Sequence, residues 1–177
     1  MSRSRSTSSG SRFDIEAMPV IHRRSLHDYS VHCSPNTSKW IATILRGGDV
    51  RRTLQHSFKS EREARRFAKS FCPPKMRPGS RNCQICNIGL NSKPAQCRNC
   101  GVCICDNCSL RWGGSMVPRT YLSTTSLTVR VCSSCDWLSN AFCIALLQGR
   151  ADDAKLLYDT GNVNLRSSFA AIHGEAM

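Results

Sequence analysis

Residues 97–108 read CRNCGVCICDNC, five cysteines in twelve positions. Together with their neighbours they form four pairs separated by two residues: Cys83 with Cys86, Cys97 with Cys100, Cys105 with Cys108, and Cys132 with Cys135. Two thiolates so spaced reach one ion from a tight turn, and zinc takes four such ligands at about 2.3 Å in a tetrahedron. Eight cysteines therefore make two closed sites with no open coordination position, which is the pattern of a structural metal. The gaps between the pairs are 10, 4 and 23 residues. The four-residue gap is too short to fold the second and third pairs around one ion, so interleaving is expected: pairs one and three on one zinc, pairs two and four on the other. A redox dithiol would need a single pair in a βαβ setting. Disulfides are disfavoured too, because MSRSRSTSSGSRF at the start has no apolar run that could serve as a secretory signal.

The interleaved arrangement is shared by FYVE, RING and PHD fingers, and the residues resemble the FYVE family most. CRNCGVCICDNCS, from Cys97 to Ser109, follows the FYVE order Cys, Arg, any, Cys, Gly, three residues, Cys, two residues, Cys, Ser. VRVCSSC, Val129 to Cys135, matches the FYVE closing motif Arg-Val-Cys-x2-Cys. The resemblance covers residues 80–138, about a third of the chain. It implies that Cys83, Cys86, Cys105 and Cys108 hold one zinc, and Cys97, Cys100, Cys132 and Cys135 the other. Cys103 also lies three residues after Cys100, but the family register gives it an apolar strand position, where a free cysteine acts as a small hydrophobe. Cys33, Cys72 and Cys143 stand alone and carry no assignment.

FYVE domains recognise phosphatidylinositol 3-phosphate on endosomal membranes through a basic motif, Arg-Arg-His-His-Cys-Arg. The aligned residues here are KPAQCR. Lys93 and Arg98 keep positive charge, while Pro94, Ala95 and Gln96 replace an arginine and two histidines. Arg130 supplies the arginine of the closing motif, and the family's Trp-x-x-Asp motif is missing before Cys83. The resemblance thus implies a lipid pocket of Lys93, Arg98 and Arg130, with fewer converging donors than a phosphomonoester usually meets. The hydrophobic insertion loop shrinks to Ile88, Gly89 and Leu90. The long gap carries Trp112, Met116, Val117, Tyr121 and Leu122, which either insert into a membrane interface or form the core.

Outward from the finger, residues 1–26 form a basic Ser/Arg-rich leader expected to be disordered. Residues 27–75 read as a small β-β-β-α unit. DYSVHC, KWIATIL and RRTLQHSF are expected strands, with a Gly-Gly turn in RGGDV. SEREARRFAKSF is an expected helix, with Ser60 and Glu63 as a capping box and Ala64, Phe67, Ala68 and Phe71 on one face. Pro73 and Pro74 end it. Arg51, Arg52, Phe58 and the stretch Pro73–Lys75 resemble part of a PX phosphoinositide-binding domain, over less than half of such a domain. Residues 139–165 form an expected helical hairpin. DWLSNAFCIALLQG is the first arm, with Asp136 as cap and Gly149 as stop; Gly161 ends the second. The hairpin is similar to one ankyrin repeat, which cannot bury its face alone. Residues 166–177 form a tail. The expected fold class is small α+β: a cross-braced two-zinc FYVE-like finger between a short N-terminal unit and a C-terminal hairpin.

The formal charge of +13 is unevenly placed: residues 1–82 carry a net +11 and residues 83–177 a net +2. Such a balance favours anionic partners. Nucleic acid is disfavoured because no stacking aromatics interleave with the charges. No nucleophile triad, phosphate-binding glycine loop or carboxylate pair appears, so no enzyme is expected. The expected function is a zinc-binding, non-enzymatic adaptor, cytoplasmic and peripheral on phosphoinositide-containing endosomal membranes, its protein partner undetermined. The alternatives are a protein-interaction scaffold without lipid binding, or a RING-like ubiquitin ligase using Ile85. RING fingers order a histidine among their ligands, and none lies between Cys83 and Cys135.

Overall fold

The computed structural model describes residues 21–22, 24–46, 49–77, 79–90, 94–122 and 127–166. Most of the basic leader, the Gly47–Gly48 turn, Lys93 and nearly all of the C-terminal tail lie outside these described residues. What is described is a small α+β chain with three α-helices and three small antiparallel sheets. Among the described residues, no helix is long and apolar enough to cross a membrane.

The N-terminal unit is a meander of β1 (Tyr29–Cys33), β2 (Trp40–Arg46) and β3 (Asp49–Phe58), followed by α1 (Glu61–Phe71). Tyr29 pairs with Ile44, and Trp40 with Phe58. The two-residue period of β2 turns Trp40, Ala42 and Ile44 to one face, where α1 lays Ala64 and Ala68 against them. Ala42, Ile44, Ala64 and Ala68 are fully buried. The small alanines let helix and sheet approach, and Phe58, Phe67 and Phe71 fill the rim. Ser60 caps the helix, its Oγ accepting from the Glu63 N–H at 3.3 Å.

The C-terminal end of α1 is where the units join. A helix leaves its last carbonyls without internal partners. Here Lys69 C=O accepts from the Arg24 guanidinium at 2.9 Å, Ser70 C=O from the Tyr121 hydroxyl at 3.0 Å, and Phe71 C=O from Thr120 Oγ1. Arg24 also places a cation at the negative end of the helix dipole and donates to the Tyr121 hydroxyl at 2.5 Å. Beyond the helix, Pro73–Lys75 runs antiparallel to residues 25–27, with Lys75 N–H donating to Ser25 C=O at 2.6 Å. Cys72 lies in this core; burial pushes its thiol up to about 11 while its S–H donates to His27 C=O. So Ile21, His22 and the stretch from Arg24 to Leu26, assigned with the leader, are packed. Backbone pairing with the diproline stretch holds Ser25 and Leu26, Ile21 packs on the C-terminal hairpin core and His22 bonds Gln84 C=O at 2.7 Å, contacts without local sequence signal.

The middle of the chain holds β4 (Ala95–Gln96) paired with β5 (Cys103–Ile104), and β6 (Ser109–Gly113) paired with β7 (Thr128–Cys132). The apolar side chains of the long gap divide: Leu127 is 94% exposed, but those singled out in the sequence turn inward. Trp112, Val117 and Tyr121 are buried, with Met116 and Leu122 packed beside them. Of the two fates open to these residues, core is the one taken. α2 (Ser133–Leu147) starts directly on β7, and α3 (Ala151–Asp159) folds back after Gly149, whose φ of +67° suits glycine. Leu138, Phe142, Ala154 and Leu157 form their common core. Asp136 is not the cap of α2. The cap is Cys132, and Asp136 accepts from Trp112 Nε1 at 2.7 Å and from Asn140. The helix begins within the last cysteine pair because that cysteine's sulfur satisfies the first turn.

Tyr121→Phe removes the hydroxyl that both caps α1 and steadies Arg24. Urea unfolding of the zinc-loaded protein should show a loss of about 1–2 kcal/mol, the usual cost of a partly buried hydrogen bond with an orphaned acceptor.

Candidate metal centres

Each of the first two cysteine pairs sits in the same turn. Cys83 N–H donates to Ile88 C=O and Asn87 N–H returns to Cys83 C=O, both at 2.8 Å. Cys97 N–H donates to Val102 C=O at 2.9 Å, and Gly101 N–H returns to Cys97 C=O at 2.8 Å. Residue four after the first cysteine has a positive φ in both turns, +62° at Asn87 and +84° at Gly101. Asn and Gly are the residues that tolerate this conformation. The bonded turn points both thiols of a pair to one side. At Gly101 there is a second demand: a Cβ would lie 2.2 Å from the Lys75 carbonyl oxygen.

Two sets of four sulfurs result. Cys83, Cys86, Cys105 and Cys108 form one, and Cys97, Cys100, Cys132 and Cys135 the other, the sulfurs of each lying within 4.8 Å of one another. Cys86 and Cys105 are 3.6 Å apart at sulfur, and Cys100 and Cys132 are 3.8 Å apart. A tetrahedron of sulfurs at 2.3 Å from a central ion has an edge of about 3.8 Å, whereas a disulfide would need about 2.05 Å. The sulfurs are therefore set for two metal ions, and the all-thiolate donor set fits zinc. The interleaving is consistent with a cross-braced zinc finger.

Local pairing brings the sets together. β4 and β5 close the second turn into a hairpin whose far strand delivers Cys105 beside Cys83 and Cys86. Gln84 clamps that strand, its N–H donating to Cys103 C=O and its Oε1 accepting from Cys103 N–H, both at 2.9 Å. Cys103 is fully buried and belongs to neither set. The β6–β7 pair returns the chain to Cys132, whose N–H donates to Cys97 Sγ at 3.2 Å.

The two sets differ in exposure. All four cysteines of the second are buried, while in the first Cys86 is exposed and Cys105 and Cys108 are half-buried. Their proton affinities show what convergence does. Burial opposes ionisation of Cys83, yet N–H groups of Cys86, Cys105 and Ile85 bring it down to about 6. Burial likewise opposes ionisation of Cys97, but the thiols of Cys100, Cys132 and Cys135 and the Cys132 N–H hold it well below the usual thiol range. Three other thiols move the other way: Cys100 and Cys135 are pushed up by neighbouring sulfurs, and Cys108 by burial and then its neighbours. Each set thus stabilises one thiolate, and zinc would replace the protons of the others.

Sequence reasoning missed Asn99, inside the second turn. It is buried, its Nδ2 donates to Asn162 C=O at 2.7 Å, and its Oδ1 accepts from Asn164 Nδ2 at 3.3 Å. Asn164 N–H donates to Ser139 Oγ on α2, and Asn162 Nδ2 reaches His22 C=O. The second site is thereby tied to the hairpin and to the N-terminal segment. A buried asparagine within a cysteine turn is the only local cue.

Of the expected lipid contacts, Lys93 lies outside the described residues. Arg98 and Arg130 are backbone neighbours, Arg98 N–H donating to Arg130 C=O at 2.9 Å. The Arg130 guanidinium is engaged by the Asp106 carboxylate. No protein-family model, curated protein or solved structure matches this chain.

Gly101→Ala should destabilise the zinc-loaded protein by at least ~2 kcal/mol, from forced positive φ plus the clash with Lys75, read as a fall in urea midpoint. Metal analysis should give two zinc ions per chain, and Cys103→Ala should keep both whereas Cys100→Ala loses one. In a chelator titration the first site, more exposed, should empty before the second.

Proposed function

We propose that this chain is a non-enzymatic adaptor built on a FYVE-type finger, in which two zinc ions hold the scaffold and the flanking units present binding surfaces. The observation that carries this reading is the pair of interleaved four-sulfur sets, each filled by protein thiols so that no ligand position is left for a substrate. The binding energy of such ions is folding energy. The closing motif from Val129 and the Cys-Arg-x-Cys-Gly turn support the FYVE register over its relatives. The RING-like alternative has less support, since Ile85, its docking residue, is packed against the finger's core rather than free.

Recruitment to phosphatidylinositol 3-phosphate is the second reading. Two observations favour it: Arg98 and Arg130 are adjacent, and Ile88 on the first turn is 58% exposed. Against it stand the Asp106 carboxylate on Arg130 and the buried side chains of the long gap. Co-sedimentation of the zinc-loaded full chain with neutral vesicles, with and without the 3-phosphate lipid, separates the two readings. The adaptor reading expects no gain on adding the lipid. A selective gain that is lost in Arg98→Ala with Arg130→Ala would establish lipid recognition.

A further inference from the structure

One face of α1 carries Arg62, Arg65, Arg66 and Lys69, spaced as neighbours along one stripe of a helix. Arg65 is paired with Glu61 at 2.6 Å. Arg62, Arg66 and Lys69 have no acidic partner among the described residues. The stripe borders a shallow depression of about 490 Å³ on its outer side. Arg66 and Lys69 also line a larger cleft of about 820 Å³, between the end of α1 and the segment that follows α3. That volume falls in the range of ligand-binding clefts, roughly 300–1,000 Å³.

The cleft has a charged rim and an apolar floor. Arg24 and Arg166 add two further cations to the rim. Arg24 is held in place by the Tyr121 hydroxyl and the Lys69 carbonyl, so two of its five donors are used and the rest stay available. The one acid on the rim, Asp159, is already paired with Lys155 at 2.9 Å. Phe71, Val163 and Leu165 supply the floor, with Leu165 47% exposed. A concave floor does not suit a flat membrane. Base stacking is served by one exposed ring only, Tyr158, which already leans on Phe142 at 6.1 Å, while Tyr121 is buried and its hydroxyl engaged.

We propose that this groove docks an acidic peptide segment of a partner protein, its carboxylates on the stripe of α1 and one large apolar side chain on the floor between Phe71 and Leu165. Charge complementarity selects the occupant: Arg24, Arg66, Lys69 and Arg166, without a free counter-charge among the described residues, steer and orient an anionic strand, and the floor adds desolvated contact area. The proposal extends the adaptor reading beyond the zinc finger and does not depend on whether the finger meets a lipid.

The test uses fluorescein-labelled peptides in which Glu alternates with Ser around one central Trp, Leu or Ala, with Lys-for-Glu counterparts. Binding to the zinc-loaded full chain is followed by anisotropy. The Trp and Leu acidic peptides should bind saturably, with roughly tenfold weaker binding for the Ala peptide and for Arg66→Glu with Lys69→Glu. Leu165→Ser, which removes apolar surface without adding charge, should weaken the Trp peptide and leave the Ala peptide unchanged. Each variant is checked for its zinc content and circular dichroism. No saturable binding by any acidic peptide, or binding indifferent to the central residue, would overturn the proposal. So would uptake of anionic vesicles or single-stranded RNA, abolished by the α1 double variant, in place of peptide binding.

Discussion

Four thiol sulfurs cannot sit at one point without a cation or shared protons. That constraint organises this protein. Each sulfur set lies at distances a tetrahedral ion would impose, and the proton affinities inside each set diverge because every thiolate needs neighbours that donate to it. The turns exist to aim sulfurs, and the strands exist to deliver turns. β4 and β5 are two residues each, too short to persist alone, and they hold only because the cysteines at their ends are tied together.

The second sulfur set is the hub of the structure. It is buried on all four sides, its third sulfur caps α2, and Asn99 between its first two cysteines hydrogen-bonds the segment after α3. A helical hairpin of this length would expose too much apolar surface by itself. Here it inherits its start from Cys132 of the second sulfur set and its closure from asparagines. On the other flank, the long chain between the third and fourth cysteine pairs docks onto the last carbonyls of α1. Three side chains from two distant segments cap that helix, so the N-terminal unit and the finger share one boundary.

Charge is divided by this architecture. Arg130 of the finger meets the Asp106 carboxylate, and Arg24 of the N-terminal segment is oriented at the end of α1 by Tyr121 and the Lys69 carbonyl. The outward stripe of α1 is left with positive charge facing solvent. The same helix therefore serves the core with its alanines and phenylalanines and a prospective anionic partner with its opposite face.

Much of this was legible along the chain. Cysteine spacing specified two four-sulfur sets, because the four-residue gap leaves no room for a compact pairing. The α1 face, its Ser60 cap and the three N-terminal strands followed from periodicity and turn residues, which act locally. Other features had no local signature. Ser25 and Leu26 resembled part of a polar leader, yet they are held by backbone pairing to the diproline stretch, which any side chain would allow. Asp136 matched a cap by composition, but Cys132 lay closer to the helix start and Trp112 claimed the carboxylate. The fate of the long gap was undecidable from hydrophobicity, since an apolar side chain serves a membrane or a core equally. The sequence by itself determined which cysteines gather into four-sulfur sets and where helices and strands run, because cysteine spacing and periodicity are written residue by residue. Only the tertiary structure decided what the remaining side chains face, because burial and pairing depend on segments a hundred residues apart meeting in space.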